Sequence, residues 1–295
     1  MMINGKTKVC GVMGHPVGHS MSPAIQNLFA QRTGTDLVYV PFKVTKDQVG
    51  EAVKGAFALN LHGVNVTVPH KQNVMPYLAE MDEAASAIGA VNTLVRMEHG
   101  FKGYNTDAAG LGRSMAEAGI FPKGQDCILI GAGGAAKAAA YLLVKEGAAS
   151  IYVLNRSLEK AEQLAVEMNQ KFHKPVMQAK RLEEYRELPK KMYLAIQCTS
   201  VGMHPHTDCA PIEDPEFYHM LHTGVDVIYT PVETKFMKLV TQAGGKAVNG
   251  LNMLLYQGIE AFELWNPGVT IDKKTADQAR ERMREQLAIR ENGHE

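Results

Sequence analysis

The feature that most constrains the fold is the alternation of apolar runs of strand length with longer segments of helical period. The run "TKVCGVMG" is followed by "SPAIQNLFAQRTG", where Ser22 begins a helix, Pro23 suits its first turn and Gly34 its end. Strands that alternate with helices pair mainly in parallel, because each helix returns the chain to the same end of the sheet. The alternation therefore predicts an α/β fold with largely parallel sheets.

The alternation begins twice, which predicts two domains. The first set closes with "AVNTLVRMEHGFKGYNTD", a predicted hairpin with its turn at His99-Gly100, and a second set starts at "DCILIGAGGAAKAAAYLLVKEG". A chain of 295 residues is long for one core and sufficient for two. We expect one α/β domain over residues 1–107 and another over 108–250. The helical segments of 251–295 are expected to pack back on the first domain.

Composition excludes several classes of protein. The formal net charge is zero, which gives no support to a nucleic-acid or membrane-surface partner. The four cysteines (Cys10, Cys127, Cys198 and Cys209) are scattered without a CxxC pair, as in proteins with reduced thiols. No apolar run has the length of a signal-peptide core or a membrane span. We therefore expect a cytoplasmic protein.

The stretch "NVTVPHK" (65–71) predicts a strand that ends beside a lysine. Valines alternate with Asn65 and Thr67, which predicts one apolar and one polar face, and Pro69 cannot donate to a sheet ladder. Lys71 follows just past the strand end, where ligands bind in open α/β sheets. An ordinary strand with a surface lysine is the alternative.

The stretch "ILIGAGGAAKAA" predicts a dinucleotide-binding turn. It places Gly131, Gly133 and Gly134 between an apolar strand and an alanine-rich helix, with Ala136 in the place of the third glycine. Such glycines permit a tight turn and let the backbone approach a pyrophosphate at the helix N-terminus. Glycine-rich turns also occur without ligands, but the strand-turn-helix context favours binding.

The end of the next strand, in "SIYVLNRSLEK", predicts NADP rather than NAD. An NAD site usually has a carboxylate there, but Asn155 and Arg156 occupy this place, with Ser157 beside them and Lys160 one helical turn on. Two cations and a hydroxyl suit a 2′-phosphate. A solvated Arg-Lys pair is the alternative, although cations are mildly disfavoured at a helix N-terminus.

The stretch "GHPVGHSMSPAIQ" predicts a small anion site. Ser20 and Ser22 stand at the N-terminus of the first predicted helix, where backbone N–H groups and the helix dipole favour negative charge. Two hydroxyls there could hold a carboxylate. A plain N-cap role for Ser22 is the alternative.

Together these motifs resemble the shikimate dehydrogenase family, which includes quinate/shikimate dehydrogenases. The matching segments, in order, are "GHPVGHSMSP", "NVTVPHK", "IGAVNT", "GYNTDAAG", "GAGGAAKA", "NRS", "TSVGM" and "NGLNMLLYQG". The resemblance covers nearly the whole chain. It implies an N-terminal substrate domain, completed by the C-terminal helices, and a Rossmann domain. It also implies NADPH-dependent reduction of 3-dehydroshikimate to shikimate in aromatic amino acid biosynthesis, with quinate or NAD used by some members.

The resemblance assigns roles to residues of this chain. Lys71 and Asp107 are implied as catalytic, with Lys71 the proton donor in ketone reduction; a structural salt bridge between them is the alternative. Substrate contacts are implied for Ser20, Ser22, Asn65, Thr67, Asn92, Asp107, Tyr229 and Gln257. Dinucleotide contacts are implied for Gly131, Ala132, Gly133, Gly134, Ala135, Asn155, Arg156, Ser157, Lys160, Val227, Gly250 and Met253.

Some features depart from the family pattern. Gln197 stands where "NATS" would have Asn, Asn252 replaces a glycine common in "GLGML", and "VGMHPHTD" resembles the quinate-using branch. A quinate/shikimate dehydrogenase that uses NAD, and a sensor that binds shikimate or dinucleotide without turnover, therefore remain alternatives. Assembly is open, with a homodimer as one option.

Four histidines have spacings that suggest a metal site: His204, His206, His219 and His222. No carboxylate or cysteine cluster completes either pair, and the chemistry needs no metal. We expect loop and surface histidines and no metal.

Overall fold

The computed structural model describes residues 3–292, with side chains described to residue 289, and the chain divides into two compact units. The first unit comprises the described residues up to 110 and from 254 onward, and the second comprises 111–253. Sequence patterns placed the limits at 107/108 and 250/251. Both observed divisions fall inside continuous helices, α4 (Thr106–Glu117) and α9 (Leu251–Trp265). The sequence pattern had no helix at α4.

The first unit is built on a six-stranded sheet in the order β2-β1-β3-β5-β6-β4. Only β5 runs antiparallel to its neighbours, so the sheet is mostly parallel. Its strands are β1 (Lys8–Gly14), β2 (Leu37–Lys43), β3 (Gly63–Val66), β4 (Glu80–Met81), β5 (Thr93–Met97) and β6 (Gly100–Tyr104). Its other helices are α1 (Ser22–Thr33), α2 (Val49–Ala58), α3 (Glu83–Ile88) and α10 (Lys273–Asn292).

The hairpin of β5 and β6 turns one residue earlier than its sequence predicts. Met97 pairs with Gly100, so the two-residue loop is Glu98-His99 and Gly100 already belongs to the second strand. Gly100 has a φ of +134°, a conformation that glycine adopts readily. The expected turn at His99-Gly100 is therefore wrong by one position.

Helix α9 packs on this sheet through Trp265. The indole is buried, and its Nε1 donates to the Leu94 carbonyl at 2.9 Å. A Cβ added to Gly63 would lie 2.1 Å from that nitrogen, so only glycine lets the ring lie against β3. The Gln26 side chain of α1 donates to the Gly258 carbonyl of α9 at 2.8 Å. The C-terminal helices thus share the core of the first unit.

The second unit has a six-stranded parallel sheet in the order β12-β11-β10-β7-β8-β9. If β7 is counted as strand 1 of this sheet and the sheet is followed from the edge at β9, the strand order is 3-2-1-4-5-6. This is the Rossmann arrangement, which confirms the predicted fold class. The strands are β7 (Asp126–Ile130), β8 (Ser150–Asn155), β9 (Met177–Arg181), β10 (Tyr193–Gln197), β11 (Leu221–Asp226) and β12 (Lys246–Val248). The helices are α5 (Gly134–Lys145), α6 (Leu158–Phe172), α7 (Pro215–Tyr218) and α8 (Lys235–Gln242).

Parallel strands with helices on both sides explain the apolar sequences of this sheet. Strand β7 and strand β10 are almost entirely buried, as expected where both faces are covered. Strand β9, "MQAKR", lies at the edge and is mostly polar, so its sequence carried no strand signal. Within residues 3–292, no helix is long and apolar enough to cross a membrane.

The close approach of Trp265 to β3 yields a paired test by glycine substitution. Gly63→Ala is expected to lower the free energy of unfolding by about 1–3 kcal/mol, because the new methyl group displaces the indole. Gly55→Ala, in α2, is the control: its Cβ would meet nothing within 4 Å, and alanine gains roughly 0.5–1 kcal/mol in a helix. Urea unfolding of both variants measures this, and equal effects would contradict the packing described.

The buried carboxyl of Asp226 yields a pH test. Burial raises the pKa of Asp226 from 3.8 to about 6, although hydrogen bonds from Thr234 and the Ile228 backbone oppose the rise. Between about pH 4 and 6 the folded chain keeps a proton that the unfolded chain has released, so this group's contribution to stability falls as pH rises. Above pH 6 the ionised Asp226 carboxylate lowers the free energy of unfolding by about 3 kcal/mol.

Asp226→Asn removes this titration. Its free energy of unfolding relative to wild type is expected to be higher at pH 7 than at pH 4, by up to about 3 kcal/mol. Urea unfolding of both proteins at the two pH values gives the double difference. An unchanged difference would mean that Asp226 is charged in the folded protein throughout.

Candidate active site

Lys71 lies in the loop after β3, and its backbone is held on both sides. The Thr67 N–H continues the pairing with β1 at 2.9 Å, and the Val91 N–H donates to the Lys71 carbonyl at 2.8 Å. The adjacent His70 is completely buried, with Nε2 2.7 Å from the Val44 carbonyl oxygen. The side chain of Lys71 remains 26% exposed. The loop therefore presents a lysine from a fixed backbone.

Asp107 lies in the first turn of α4 and binds Lys71 directly. Its Oδ2 is 2.6 Å from Lys71 Nζ, and its Oδ1 accepts from Asn92 Nδ2 at 2.8 Å. The N-terminal turn of a helix favours negative charge. Both oxygens of this largely buried carboxylate thus have partners, and the lysine is held in one place.

Asn92 precedes β5, and its amide is fully engaged within the protein. Its second N–H donates to Thr106 Oγ1 at 3.0 Å, while its Oδ1 accepts from the Thr106 N–H at 2.8 Å and the Thr93 hydroxyl at 3.0 Å. The side chain is buried. The structure therefore places Asn92 as a holder of Asp107, and its contact with a substrate hydroxyl stays a prediction.

Asn65 is also turned inward, so the polar face predicted for β3 is buried within the protein. Asn65 is 6% exposed, whereas Val68 is 67% exposed. The Asn65 amide accepts from the Tyr39 hydroxyl at 2.7 Å and donates to Thr93 Oγ1 at 2.9 Å and to the Asn92 carbonyl at 3.2 Å. Strand β3 is interior to the sheet with both faces covered, so alternation does not separate a core face from a solvent face.

Thr93 and Tyr39 were given no role from the sequence. Thr93 closes the quoted motif "IGAVNT", so the motif was visible but its hydroxyl was not assigned. Tyr39 lies in the middle of β2, where the sequence pattern predicts only an ordinary core residue. Only the pairing of β2, β1, β3 and β5 in one sheet brings these hydroxyls to Asn65.

Ser20 and Ser22 meet at the start of α1. Ser22 is the first residue of the helix and Met21 is at the N-cap without a side-chain hydrogen bond, so the N-cap alternative for Ser22 is wrong. The Ser22 N–H donates to Ser20 Oγ at 3.2 Å. Pro23 in the first turn lacks an N–H that would need a partner. The Ser22 hydroxyl is therefore free of a capping duty.

The remaining predicted substrate residues are partly exposed. Thr67 is half-buried, and a Cβ on Gly14 would lie 2.4 Å from its Cγ2, so glycine is needed for this close approach to β1. Gln257 is half-buried on α9 and donates to the Leu254 carbonyl at 2.9 Å. Tyr229 is half-buried in the loop after β11, in the second unit. Their substrate contacts stay predictions.

The glycine turn between β7 and α5 is open where a dinucleotide would approach. Gly131 has a φ of +109°, and a Cβ there would lie 3.0 Å from Thr199 Cγ2, so both conformation and space call for glycine. A Cβ on Gly133 or Gly134 would meet nothing within 4 Å. Those two glycines are thus explained by no protein neighbour among the described residues, and they fit a backbone cradle for a pyrophosphate together with Ala132 and Ala135.

The end of β8 carries two exposed cations. Arg156 and Lys160 are exposed, and neither pairs with an acidic group within residues 3–289. Asn155 Nδ2 donates to the Ser157 carbonyl at 2.8 Å. The Ser157 hydroxyl donates to Glu159 Oε2 at 2.9 Å, a neighbour that the sequence interpretation did not consider. The end of β8 therefore presents the charges of Arg156 and Lys160 beside a Ser157 hydroxyl that is already hydrogen-bonded to Glu159.

Val227 and Gly250 lie against each other beyond the end of β11. A Cβ on Gly250 would lie 2.1 Å from the Val227 carbonyl oxygen, and the Gly250 N–H donates to the Ile228 carbonyl at 2.9 Å. Met253 is nearly buried two residues into α9. Val227 and Gly250 form a rigid corner, and the contact of all three residues with a nicotinamide ring stays a prediction.

Gln197 and Asn252, two of the three departures from the family pattern, each have local partners. Gln197 is buried, and its amide bonds to backbone groups of Thr199 and Val201 and, at 3.4 Å, to Asp226, which organises the loop after β10. Asn252 Nδ2 donates to Glu117 Oε2 at 2.9 Å within the second unit. Both residues are therefore accommodated by the fold.

The four histidines lie in different surroundings. His204 and His206 are exposed in the loop after β10, and His219 is exposed just after α7. His222 lies in β11 and is partly buried, with Nδ1 2.9 Å from Thr223 Oγ1, so the expected loop or surface position is wrong for this residue. Burial lowers the pKa of His222. Among the described residues, no group of three or more His, Cys, Asp or Glu side chains is placed to hold a metal ion.

Three family models match successive parts of the chain. The shikimate dehydrogenase substrate binding domain matches residues 12–94, shikimate/quinate 5-dehydrogenase matches 116–206, and the shikimate 5′-dehydrogenase C-terminal domain matches 250–287. Among curated relatives, a shikimate dehydrogenase (NADP(+)) of Desulforamulus reducens is 47% identical over 274 residues, covering 89% of this chain and 91% of that protein.

Solved structures agree with the sequence relatives. A shikimate dehydrogenase crystallised with NADP+ is 38% identical with a TM-score of 0.85, covering 96% of this chain and 97% of that chain. A shikimate 5-dehydrogenase of Listeria monocytogenes, crystallised with shikimate and NAD, is 31% identical with a TM-score of 0.86, covering 96% and 98%. The chain therefore belongs to the shikimate dehydrogenase family.

Proposed function

We propose that this chain catalyses the reversible, NADPH-dependent reduction of 3-dehydroshikimate to shikimate. The observation that carries the proposal is the partly exposed Lys71 ammonium, held 2.6 Å from Asp107 at the carboxyl end of a central strand. A surface ion pair needs no such support, whereas Asp107 is buried and bound a second time by Asn92. A shared, oriented lysine suits proton transfer to a ketone oxygen.

Lys71 and Asp107 divide the work at the reacting oxygen. NADPH, when bound, supplies the hydride. Lys71 donates a proton to the oxygen of the ketone as it becomes a hydroxyl, and takes it back in the oxidative direction. Asp107 holds the ammonium through Oδ2 and accepts a hydrogen bond from the new hydroxyl. The bond from Asn92 to Oδ1 keeps the carboxylate plane in place for both tasks.

The substrate carboxylate is proposed to bind at Ser20 and Ser22. The backbone N–H groups at the start of α1 and the helix dipole favour an anion at this position. Thr67 and Gln257 are proposed to bind ring hydroxyls, and Tyr229 to lie beside the carboxylate. Direct contacts are also proposed for Asn65 and Asn92, although their amide hydrogens have protein partners in this structure.

The dinucleotide is proposed to bind along the carboxyl edge of the second sheet. The turn from Gly131 to Ala135 holds the pyrophosphate, Arg156 and Lys160 bind the 2′-phosphate, and Val227, Gly250 and Met253 flank the nicotinamide. Support comes from the open space at Gly133 and Gly134 and from the two cations that pair with no described acidic group. Asn155 and Ser157 complete the adenosine end.

One observation favours NAD as a second cofactor. The Ser157 hydroxyl already donates to the Glu159 carboxylate, and a carboxylate at this place suits ribose hydroxyls rather than a phosphate. The alternative is therefore a quinate/shikimate dehydrogenase that uses NAD. A sensor without turnover is disfavoured, because it would have no use for the oriented Lys71–Asp107 pair.

The proposed enzyme is cytoplasmic. All four cysteines are free, and three of them are buried, which fits a reducing compartment. A homodimer stays a prediction, which light scattering of the purified chain would measure.

Initial rates separate these functions. The purified chain is assayed with shikimate and with quinate, each against NADP and NAD, by the absorbance of the reduced cofactor. We expect the highest kcat/KM with shikimate and NADP. Higher kcat/KM with quinate and NAD would establish the alternative, and binding without turnover would establish the sensor.

Lys71→Ala is expected to lower kcat with shikimate by roughly 10²–10⁴-fold, the worth of a positioned proton donor, with a modest change in KM. Lys102→Ala is the matched control, because Lys102 lies in the same unit, is 30% exposed and pairs with Glu80 at 3.3 Å. The control should keep wild-type rates. A kcat of Lys71→Ala within a few-fold of wild type would leave only the structural salt bridge.

Arg156→Ala is expected to raise KM for NADP by roughly tenfold and to leave KM for NAD nearly unchanged. It removes a charge-assisted bond to the 2′-phosphate, worth about 1.5–3 kcal/mol, and NAD lacks that phosphate. Lys160→Ala should show the same selectivity more weakly, as a flexible point charge.

Arg186→Ala provides the control for this change, since Arg186 is an exposed arginine of the same unit paired with Asp214. It should leave both cofactors unaffected. Equal weakening of NADP and NAD by Arg156→Ala would place Arg156 away from the 2′-phosphate.

A further inference from the structure

A chain of hydrogen bonds runs through the interior of the first unit and ends on Asp107. The Tyr39 hydroxyl donates to Asn65 Oδ1 at 2.7 Å, and Asn65 Nδ2 donates to Thr93 Oγ1 at 2.9 Å. The Thr93 hydroxyl then donates to Asn92 Oδ1 at 3.0 Å, and Asn92 Nδ2 donates to Asp107 Oδ1 at 2.8 Å. Every donor in the series points toward the carboxylate.

The direction of the chain is fixed by the number of protons available. Thr93 has one hydroxyl proton, and because its oxygen accepts from Asn65 that proton is directed to Asn92 Oδ1. This bond, together with the Thr106 backbone N–H that donates to the same Oδ1 at 2.8 Å, sets the orientation of the Asn92 amide, with its nitrogen toward Asp107. The opposite orientation would put an amide oxygen against a carboxylate oxygen.

Burial makes the chain strong and keeps its first member a donor. Tyr39 and Thr93 are almost completely buried, and Asn65 and Asn92 nearly so. Hydrogen bonds in such a low-dielectric interior are stronger than in water and reinforce one another. Burial also raises the pKa of Tyr39 well above its usual value, so the phenol keeps the proton it donates.

We infer that Thr93, supported by Asn65 and Tyr39, is a positioning residue that orients the Asn92 amide and through it the Asp107 carboxylate that holds Lys71. Thr93 is completely buried, so it acts on the reaction only through these neighbours. The inference rests on the proposed function of Lys71 and Asp107. It requires that loss of the Thr93 hydroxyl reduce turnover rather than substrate binding.

Thr93→Val tests this, because it keeps the branched shape and removes the hydroxyl. We expect kcat with shikimate and NADP to fall about tenfold, as for a small misplacement of catalytic groups, with KM for shikimate changed less than about twofold. Thr93→Ser restores the hydroxyl and should recover most of kcat. Tyr39→Phe, further along the chain from Asp107, should lower kcat in the same direction by less.

Two controls remove buried or partly buried hydroxyls elsewhere. Thr33→Val deletes a hydroxyl that bonds to the Phe29 carbonyl in α1, and Tyr218→Phe deletes one that bonds to the Ile212 carbonyl in the second unit. Melting temperatures rank both controls beside the test variants. The controls should keep wild-type kcat even where their melting temperatures fall as far as those of the Thr93 and Tyr39 variants.

The outcomes separate the inference from the proposed function. If the wild type turns over shikimate and folded Thr93→Val has the same kcat, the positioning role is overturned and the proposed function stands. The positioning role is equally overturned if serine fails to rescue, or if the controls lose as much kcat. If Thr93→Val does not fold, unchanged kcat in Tyr39→Phe overturns the role. A folded wild type without dehydrogenase activity overturns the proposed function and the inference with it.

Discussion

The hydrogen-bonded ion pair between Lys71 and Asp107 is the interaction on which the first unit's chemistry depends. Its two members are 36 residues apart, and the sheet brings them together: Lys71 follows β3, and Asp107 follows β6 at the start of α4. Asn92, before β5, binds the free oxygen of the carboxylate. A loop, a hairpin and a helix N-terminus must therefore all be in register for a 2.6 Å contact to form.

The second unit depends on a different constraint, which is backbone space. Its parallel strands end at one edge, and the turn after β7 includes Gly133 and Gly134, whose missing side chains leave room rather than fill a contact. Gly250 shows the opposite use of glycine, since any Cβ there would strike the Val227 carbonyl. Gly250 thus permits close backbone packing within the protein, whereas Gly133 and Gly134 leave open backbone that suits a ligand.

Short-range sequence signals predicted much of this structure, and long-range pairing decided the rest. Helices α9 and α10 lie in the stretch 251–295 that was expected to be helical, and the glycine turn lies where its motif predicts. Helix α4 was missed because "GYNTDAAG" reads as the end of a hairpin. The burial of Asn65 could not be predicted, because alternation does not show whether a strand is covered on both sides. The hydroxyls of Tyr39 and Thr93 gain meaning only when four strands are placed side by side.

A crystal structure of the chain with shikimate bound measures directly whether Lys71 and Asp107 act together on the substrate. We expect Lys71 Nζ and an oxygen of Asp107 both to contact the same ring hydroxyl, at about 3 Å, while Asn92 Nδ2 remains on Asp107. The carboxylate of shikimate should then lie between Ser20 and Ser22. Shikimate bound away from an intact Lys71–Asp107 pair would contradict the catalytic role and leave the pair as a structural salt bridge.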